Sequence, residues 1–117
     1  MSRMSRIVFV SQDVLFWSRV SSLATAAGTE AVRIGDEAGM ERAFEQGGVA
    51  RVIADLSVRG IDLAAWAGRW ASADPRPELI AFGSHVDEAA LSAARDAGFD
   101  RVMPNSRFHR ELAELVR

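Results

Sequence analysis

The sequence of 117 residues predicts an α/β fold in which a five-stranded parallel sheet is flanked by five helices, all in one domain spanning residues 1–117. Three observations support this prediction. Short, continuous apolar runs alternate with longer segments whose apolar residues recur at helical spacing. The alternation repeats five times, which is typical of parallel strands joined by crossover helices. Hydrophobic residues make up 49% of the chain, which is enough for a buried core without disulfides.

The first unit begins with a continuous apolar run at residues 7–10, as expected for a strand that is covered on both faces. Apolar residues then recur at helical spacing over residues 14–27, and Gly28 ends this helix. Asp13 directly precedes the helix, so we interpret it as an N-cap and not as a metal ligand.

The second unit is the least pronounced. Residues 31–34 form a weak strand pattern, and Met40 and Phe44 mark a short helix after it. The adjacent glycines Gly47 and Gly48 end that helix.

The third unit combines a buried strand over residues 49–54 with a helix over residues 63–71 that ends before Pro75. Trp66 and Trp70 lie four residues apart and therefore share one helix face. Most such stripes belong to the core, and the alternative is that part of one indole remains exposed as a contact surface, because a domain of this size has limited core volume.

The last two units follow the same alternation. Residues 79–82 predict the fourth strand, and the alanine-rich segment 86–97 predicts the helix after it. Residues 101–103 form a short fifth strand that stops at Pro104. Apolar residues at helical spacing over 108–116 predict the final helix.

Composition excludes several classes of function. Because Cys is absent, the chain holds no disulfide, Cys-ligated zinc, iron–sulfur cluster or thiol nucleophile. The formal net charge of -2 argues against nucleic-acid binding, and no apolar run approaches the roughly 20 residues of a membrane span. Without a signal-peptide pattern, a cytoplasmic location is expected. All 14 basic residues are Arg, so no Lys is available.

Functional residues of open parallel sheets lie beyond the carboxyl ends of the strands. This rule selects four segments of the sequence, namely residues 11–13, 55–62, 83–85 and 104–106.

The segment after the third strand resembles the receiver domain of two-component response regulators. Asp55 ends the strand, and Gly60 and Asp62 match the loop that follows in that family, although Arg59 stands where proline is usual. The segment from Asp87 to Pro104 is similar to the family as well. The resemblance covers the whole chain and implies a flavodoxin-like sheet with strand order 2-1-3-4-5. It also implies that Asp55 corresponds to the phosphoacceptor.

Receiver chemistry needs more than this aspartate. The family uses an acidic pair to bind magnesium, a hydroxyl after the fourth strand and a lysine after the fifth. The acidic pair falls on Ser11 and Gln12 here, while the hydroxyl position falls on Gly83. Ser84 follows, but neighbouring strand residues point to opposite faces. The lysine position falls on Asn105. The family's inward-turning aromatic corresponds to Val102.

These departures indicate a degenerate receiver, or pseudo-receiver. Because phosphoryl transfer depends on charge neutralisation, we expect weak magnesium binding at most, no other cofactor and no enzymatic activity. The predicted function is a stand-alone signalling module that acts by protein–protein interaction. Its expected partner is another signalling protein, with a homodimer as a further possibility, and neither nucleic acid nor a membrane is expected to bind.

The resemblance also implies where a partner binds, because receivers use the fourth helix, fifth strand and fifth helix as their dimer and output face. Ala90, Arg101, Arg107 and Arg110 lie in that region. The alternative for each Arg is a solvated surface residue without a partner.

Other interpretations of the same residues stay open. Asp55 is the phosphoacceptor of a working phosphorelay if Arg59 or Arg107 replaces the lysine. A second alternative is a small-molecule or hydrolytic site formed by Asp55, Ser84 and His85, although no nucleophile-elbow motif is present. Finally, Asp55 can simply cap its loop by accepting a hydrogen bond from the backbone two residues on.

Overall fold

The computed structural model describes residues 6–117, in which five strands and five helices strictly alternate. The elements are β1 (Arg6–Val10), α1 (Val14–Ala26), β2 (Ala31–Ile34), α2 (Glu37–Gln46), β3 (Val49–Asp55), α3 (Leu63–Ala71), β4 (Glu78–Gly83), α4 (Glu88–Ala97), β5 (Arg101–Pro104) and α5 (Asn105–Leu115). Within this part of the chain, no helix has the length and hydropathy that a bilayer span needs.

The five strands form one sheet in the order β2-β1-β3-β4-β5, and every pairing is parallel. Val8 lies beside Val52, and Ile53 lies beside Ile80. The predicted fold class and strand order are therefore confirmed. Because all strands run in the same direction, the segments after β1, β3, β4 and β5 meet at one edge of the sheet.

Helices cover both faces of the sheet, which explains the continuous apolar strands. One core contains Val8 and Val52 together with the indoles of α3. The other contains Phe9 and Ile53 together with Phe108 and Leu112 of α5. Neighbouring strand residues thus enter opposite cores, and each side chain has its own layer to fill.

Aspartates fix the N-termini of four helices. Asp13 accepts a hydrogen bond from the Phe16 backbone N–H at 2.9 Å, so its predicted capping role is confirmed. Asp36, Asp62 and Asp87 cap α2, α3 and α4 in the same way. Each cap satisfies a backbone donor that has no partner inside its helix.

Several element boundaries differ from the prediction by one to three residues, and the largest shift is at α5, which begins at Asn105 and not at residue 108. Helix α4 begins at Glu88 and not at residue 86, because Asp87 has a non-helical backbone and caps the helix. Val86 is left 77% exposed outside it. Strand β5 includes Pro104, which lies opposite Gly83. Helix α1 ends at Ala26, one residue early.

Both tryptophans of α3 are buried in the core, so the alternative of a partly exposed indole was wrong. Trp66 is 4% exposed and Trp70 is 3% exposed. Phe44 of α2 packs edge-on against both rings, and the Arg69 guanidinium lies 4.2 Å above the Trp66 ring. These neighbours on α2 and α3 supply the cover that the size of the domain alone did not suggest.

Candidate functional site

The Asp55 carboxylate lies at the end of β3 and accepts three hydrogen bonds. Ser11 Oγ donates to Oδ2 at 2.7 Å. Ser57 donates to Oδ1 twice, from its backbone N–H at 2.9 Å and from its Oγ at 2.7 Å. The residue is only 9% exposed. Both oxygens are therefore already engaged, and the bond from the Ser57 backbone confirms the loop-capping geometry two residues on.

Ser11, at the first position of the missing acidic pair, is fully buried. Its Oγ donates to Asp55 and also accepts a hydrogen bond from the Asp13 backbone N–H at 3.1 Å. Its carbonyl oxygen accepts a hydrogen bond from Arg33 Nη1 at 3.0 Å. The hydroxyl thus links the loop after β1 to the end of β3.

Gln12, at the second position, joins three loops. Its Nε2 donates to the Gly35 carbonyl at 3.0 Å and to the Arg59 carbonyl at 2.7 Å. Its Oε1 accepts a hydrogen bond from the Arg59 backbone N–H at 3.2 Å. The side chain therefore stabilises the arrangement of the loops after β1, β2 and β3.

An open cleft of about 290 Å³ leads to Asp55. Its lining residues are Asp13, Leu15, Phe16, Asp55, Ser57, Phe82, Asn105 and His109. Within residues 6–117 this lining includes no Arg, and the chain has no Lys. Neither Arg59 nor Arg107 is among these residues, and Arg107 pairs with Glu111 at 2.8 Å.

His109 lines this cleft although no sequence pattern singled it out. Its ring lies 4.7 Å from the Phe16 ring, between centroids, and its Nδ1 is 3.3 Å from Arg19 Nη1. The sequence feature that could have identified His109 is its spacing, because residues four positions apart share a helix face and His109 lies four positions after Asn105.

At the end of β4, Leu56 lies in the space beside Gly83, which is the position of the missing hydroxyl. Gly83 is buried, and a Cβ atom on it would lie 3.2 Å from both Cβ and Cδ1 of Leu56. Ser84 and His85 are exposed and do not line the Asp55 cleft. The structure therefore does not bring Asp55, Ser84 and His85 together in one cleft.

The remaining receiver positions lie on β5 and α5. Val102 is half-buried and packs against the core that contains the α3 indoles. Asn105 is the first residue of α5 and lines the Asp55 cleft with its exposed side chain. An amide at this position offers hydrogen bonds but no positive charge.

The donor set does not fit the magnesium ion that receiver chemistry implies. Magnesium prefers octahedral coordination by hard oxygen ligands, usually including carboxylates. Across residues 6–117, no group of three or more His, Cys, Asp or Glu residues is arranged to hold a metal. The Asp55 oxygens bind Ser11 and Ser57, and Asp13 Oδ1 caps α1.

The four residues of the predicted interaction face lie on three elements. Ala90 lines an apolar groove of about 180 Å³ between α3 and α4, together with Leu56, Leu63, Ala64, Ala93, Ala94, Ala97 and Phe99. Arg101 pairs with Glu78 at 2.9 Å. Arg110 is exposed, and no hydrogen bond or ion pair to it occurs among residues 6–117.

Comparisons with known proteins find similarity at the level of structure but not of sequence. No protein-family model matches the chain, and no curated protein sequence matches it significantly. Among solved structures, a response regulator receiver domain protein from Clostridium thermocellum superposes with a TM-score of 0.78 at 14% identity, covering 96% of this chain and 90% of that one. A response regulator signal receiver domain from Bermanella marisrubri superposes with a TM-score of 0.76 at 17% identity, covering 100% of both chains.

NtrX from Brucella abortus superposes with a TM-score of 0.74 at 15% identity. The match covers 99% of this chain but only 28% of the NtrX chain. Together with the strand order, these superpositions show that the chain has the fold of response-regulator receiver domains.

Proposed function

We propose that this protein is a pseudo-receiver, a signalling module that acts through protein–protein contacts without efficient magnesium-dependent phosphorylation of Asp55. One observation carries the proposal: both oxygens of the Asp55 carboxylate are already held by hydroxyl and amide donors, where a receiver would place a metal and a phosphoryl group.

The electrostatics of the cleft support this proposal. A carboxylate that attacks phosphorus must approach an anionic group, so nearby cations have to neutralise the charge. Among the residues that the structure describes, the cleft around Asp55 is lined by a second carboxylate, Asp13, and by no Arg or Lys. In addition, three hydrogen bonds stabilise the carboxylate of Asp55 and reduce its nucleophilicity.

The coupling to a conformational switch is also altered. In the resembled family, a hydroxyl at the position of Gly83 follows the phosphoryl group and an aromatic at the position of Val102 responds. Here Leu56 lies against Gly83, and Val102 is part of a packed core. Because a ligand can only bias an equilibrium between two existing states, we expect one conformation of the α4–β5–α5 region.

A partner-binding role is supported by two features of α4 and α5. The groove beside Ala90, between α3 and α4, is almost entirely apolar, and five of its eight lining residues are Ala, which permits close approach by another protein. Arg110 supplies an exposed positive charge on α5. The proposed partner is another signalling protein, with a second copy of this chain as the simplest candidate.

Phosphorylation can be tested directly. The protein is incubated with acetyl phosphate and magnesium, and its intact mass is recorded over time. We expect no stable phosphoryl adduct. The double variant Ser11→Asp/Gln12→Asp restores the acidic pair and shows whether the assay detects recovered chemistry.

Rapid gain of one phosphoryl group by the wild type, lost in Asp55→Asn, would overturn the proposal. That result would support a working phosphorelay regulator. The observation in favour of this second function is that the cleft beside Asp55 is open and contains His109, whose ring N–H can donate a hydrogen bond.

A further inference from the structure

A second and larger cleft lies at the same edge of the sheet, between the loops after β1 and β2. It has a volume of about 430 Å³ and does not include Asp55. Its lining residues are Gln12, Val14, Arg33, Ile34, Gly35, Asp36, Gly39 and Arg42. The volume falls in the range of small-molecule sites, roughly 300–1,000 Å³.

Two guanidinium groups line this cleft without a carboxylate partner. Arg33 donates to the Ser11 carbonyl and forms no ion pair among residues 6–117. Arg42 is exposed and makes neither a hydrogen bond nor an ion pair with any residue that the structure describes. Elsewhere, six other arginines pair with Asp or Glu, namely Arg51, Arg69, Arg76, Arg101, Arg107 and Arg117. The cleft therefore holds two guanidinium groups that form no ion pair with a carboxylate of residues 6–117.

Asp36, the acidic residue of this lining, already accepts one hydrogen bond. Asp36 Oδ1 accepts a hydrogen bond from the Gly39 backbone N–H at 2.8 Å, as the N-cap of α2. One carboxylate against two guanidinium groups leaves the lining with a net positive charge. An anionic ligand can therefore gain from both arginines while it meets only one acidic group.

The glycine at position 35 leaves room for the guanidinium group of Arg33. A Cβ atom on Gly35 would lie 2.9 Å from Arg33 Nη1, closer than Cβ atoms normally approach. The absence of a side chain lets the guanidinium lie against the loop, with Nη1 on the Ser11 carbonyl. Its remaining N–H groups stay available as a planar set of donors.

We propose that this cleft binds a small phosphorylated molecule, with Arg33 and Arg42 as its phosphate-binding residues. Arginine matches the oxygens of a phosphate group in geometry and charge, often with two parallel hydrogen bonds. Val14, which is 60% exposed, offers an apolar contact for the rest of such a ligand. The site goes beyond the proposed function because none of its residues depends on the chemistry of Asp55.

The site also lies next to the loops that hold Asp55. Arg33 binds the carbonyl of Ser11, and Ser11 binds the Asp55 carboxylate. Gln12, which lines the new cleft, joins the loops after β2 and β3. A phosphate group bound by Arg33 would therefore be linked to Asp55 and to the loops after β2 and β3 through direct contacts.

The test is a titration with pyrophosphate and with ADP, each at constant ionic strength, followed by amide chemical shifts. We expect saturable shifts at Gly35 and Gly39 with at least one of these probes. Arg42→Gln should weaken binding by about tenfold or more, since it removes a charged donor to phosphate. Because Arg42 has no partner among the described residues, its replacement leaves the fold intact.

Arg95→Gln is the matched control, since Arg95 is exposed on α4 and lies outside the cleft. Its affinity should stay within twofold of the wild type. The proposal fails if neither probe gives saturable shifts, or if Arg42→Gln binds as well as the wild type. Equal weakening in Arg42→Gln and Arg95→Gln would also overturn it, because that result indicates general charge attraction. These outcomes do not depend on phosphorylation of Asp55.

Discussion

Leu56 occupies the space into which a side chain at Gly83 would project. A Cβ atom on Gly83 would lie 3.2 Å from two carbon atoms of Leu56, which is tighter than most such contacts. Leu56 directly follows β3 and Gly83 is the last residue of β4, and the two strands are neighbours in which Asp55 lies opposite Phe82. The hydroxyl of a receiver is thus missing at this position, and its space is partly filled by a leucine.

Gly83→Thr, which restores a hydroxyl, should destabilise the protein by about 1–3 kcal/mol. The new side chain overpacks the contact with Leu56, and such insertions cost this much in well-packed cores. Urea unfolding followed by tryptophan fluorescence measures the change.

The matched control is Gly68→Ala in α3. A Cβ atom on Gly68 would meet no atom of the described part of the chain within 4 Å, so this change should stabilise the helix by roughly 0.5–1 kcal/mol. If Gly83→Thr is as stable as the wild type, Leu56 moves easily and does not prevent a side chain at position 83.

Ser11→Ala should lower the free energy of unfolding by about 1–3 kcal/mol, because it leaves Asp55 Oδ2 buried without its donor. Ser57→Ala should cost less, because the Ser57 backbone N–H still donates to Oδ1. Chemical denaturation of the two variants gives the comparison. Equal losses would show that the buried Ser11 hydroxyl has no special role.

The two tryptophans of α3 should respond differently to replacement by phenylalanine. Trp66 Nε1 donates to Glu37 Oε1 at 2.7 Å, whereas Trp70 Nε1 is buried without a hydrogen-bond partner among residues 6–117. An unpaired buried donor costs about 1–3 kcal/mol, so Trp70→Phe recovers that cost while Trp66→Phe loses a bond. Trp66→Phe should be the less stable variant in thermal unfolding, and the reverse order would contradict this account.

Asp100 should make stability depend on acidity. Hydrogen bonds from the Arg76 guanidinium hold the pKa of Asp100 below its usual range, although burial opposes the shift, and the Leu79 backbone N–H adds to the lowering. Because the unfolded state binds the proton more readily, this stabilisation is present above about pH 4 and is lost as the pH falls through the folded-state pKa.

We therefore expect Asp100→Asn to show a weaker loss of stability than the wild type when the pH is lowered from about 5 to 2. Thermal unfolding across this range measures the difference. Asp96→Asn is the control, since Asp96 is exposed and no hydrogen bond to it occurs among residues 6–117. An identical acid dependence in wild type and Asp100→Asn would contradict the assignment.

Association through α4 and α5 should not depend on Asp55. With a second copy as the partner, Ala90→Glu and Arg110→Glu should weaken self-association in sedimentation equilibrium. Asp55→Asn should change the association free energy by less than about 1 kcal/mol, the scale of changes away from a contact. If Asp55→Asn alone abolishes association, Asp55 controls this surface and the pseudo-receiver proposal is wrong.

Much of this structure follows from the sequence alone. The continuous apolar runs at residues 7–10 and 52–54 required a sheet covered on both faces, and the alternation with helices required parallel strands. Asp13 was identifiable as a cap because its capping bond is local, three residues along the chain. Such features depend on backbone geometry and on near neighbours, which the order of residues specifies directly.

Tertiary structure decided the contacts between distant residues. Ser11 and Asp55 lie 44 positions apart in the sequence, and Gln12 and Arg59 lie 47 positions apart. Their side chains come within hydrogen-bond distance only when β1 and β3 pair. The burial of both indoles likewise depends on Phe44, which the sequence did not place against α3. Sequence periodicity reports which face of a helix is apolar, but it does not report which side chains cover that face, since packing partners come from elsewhere in the chain.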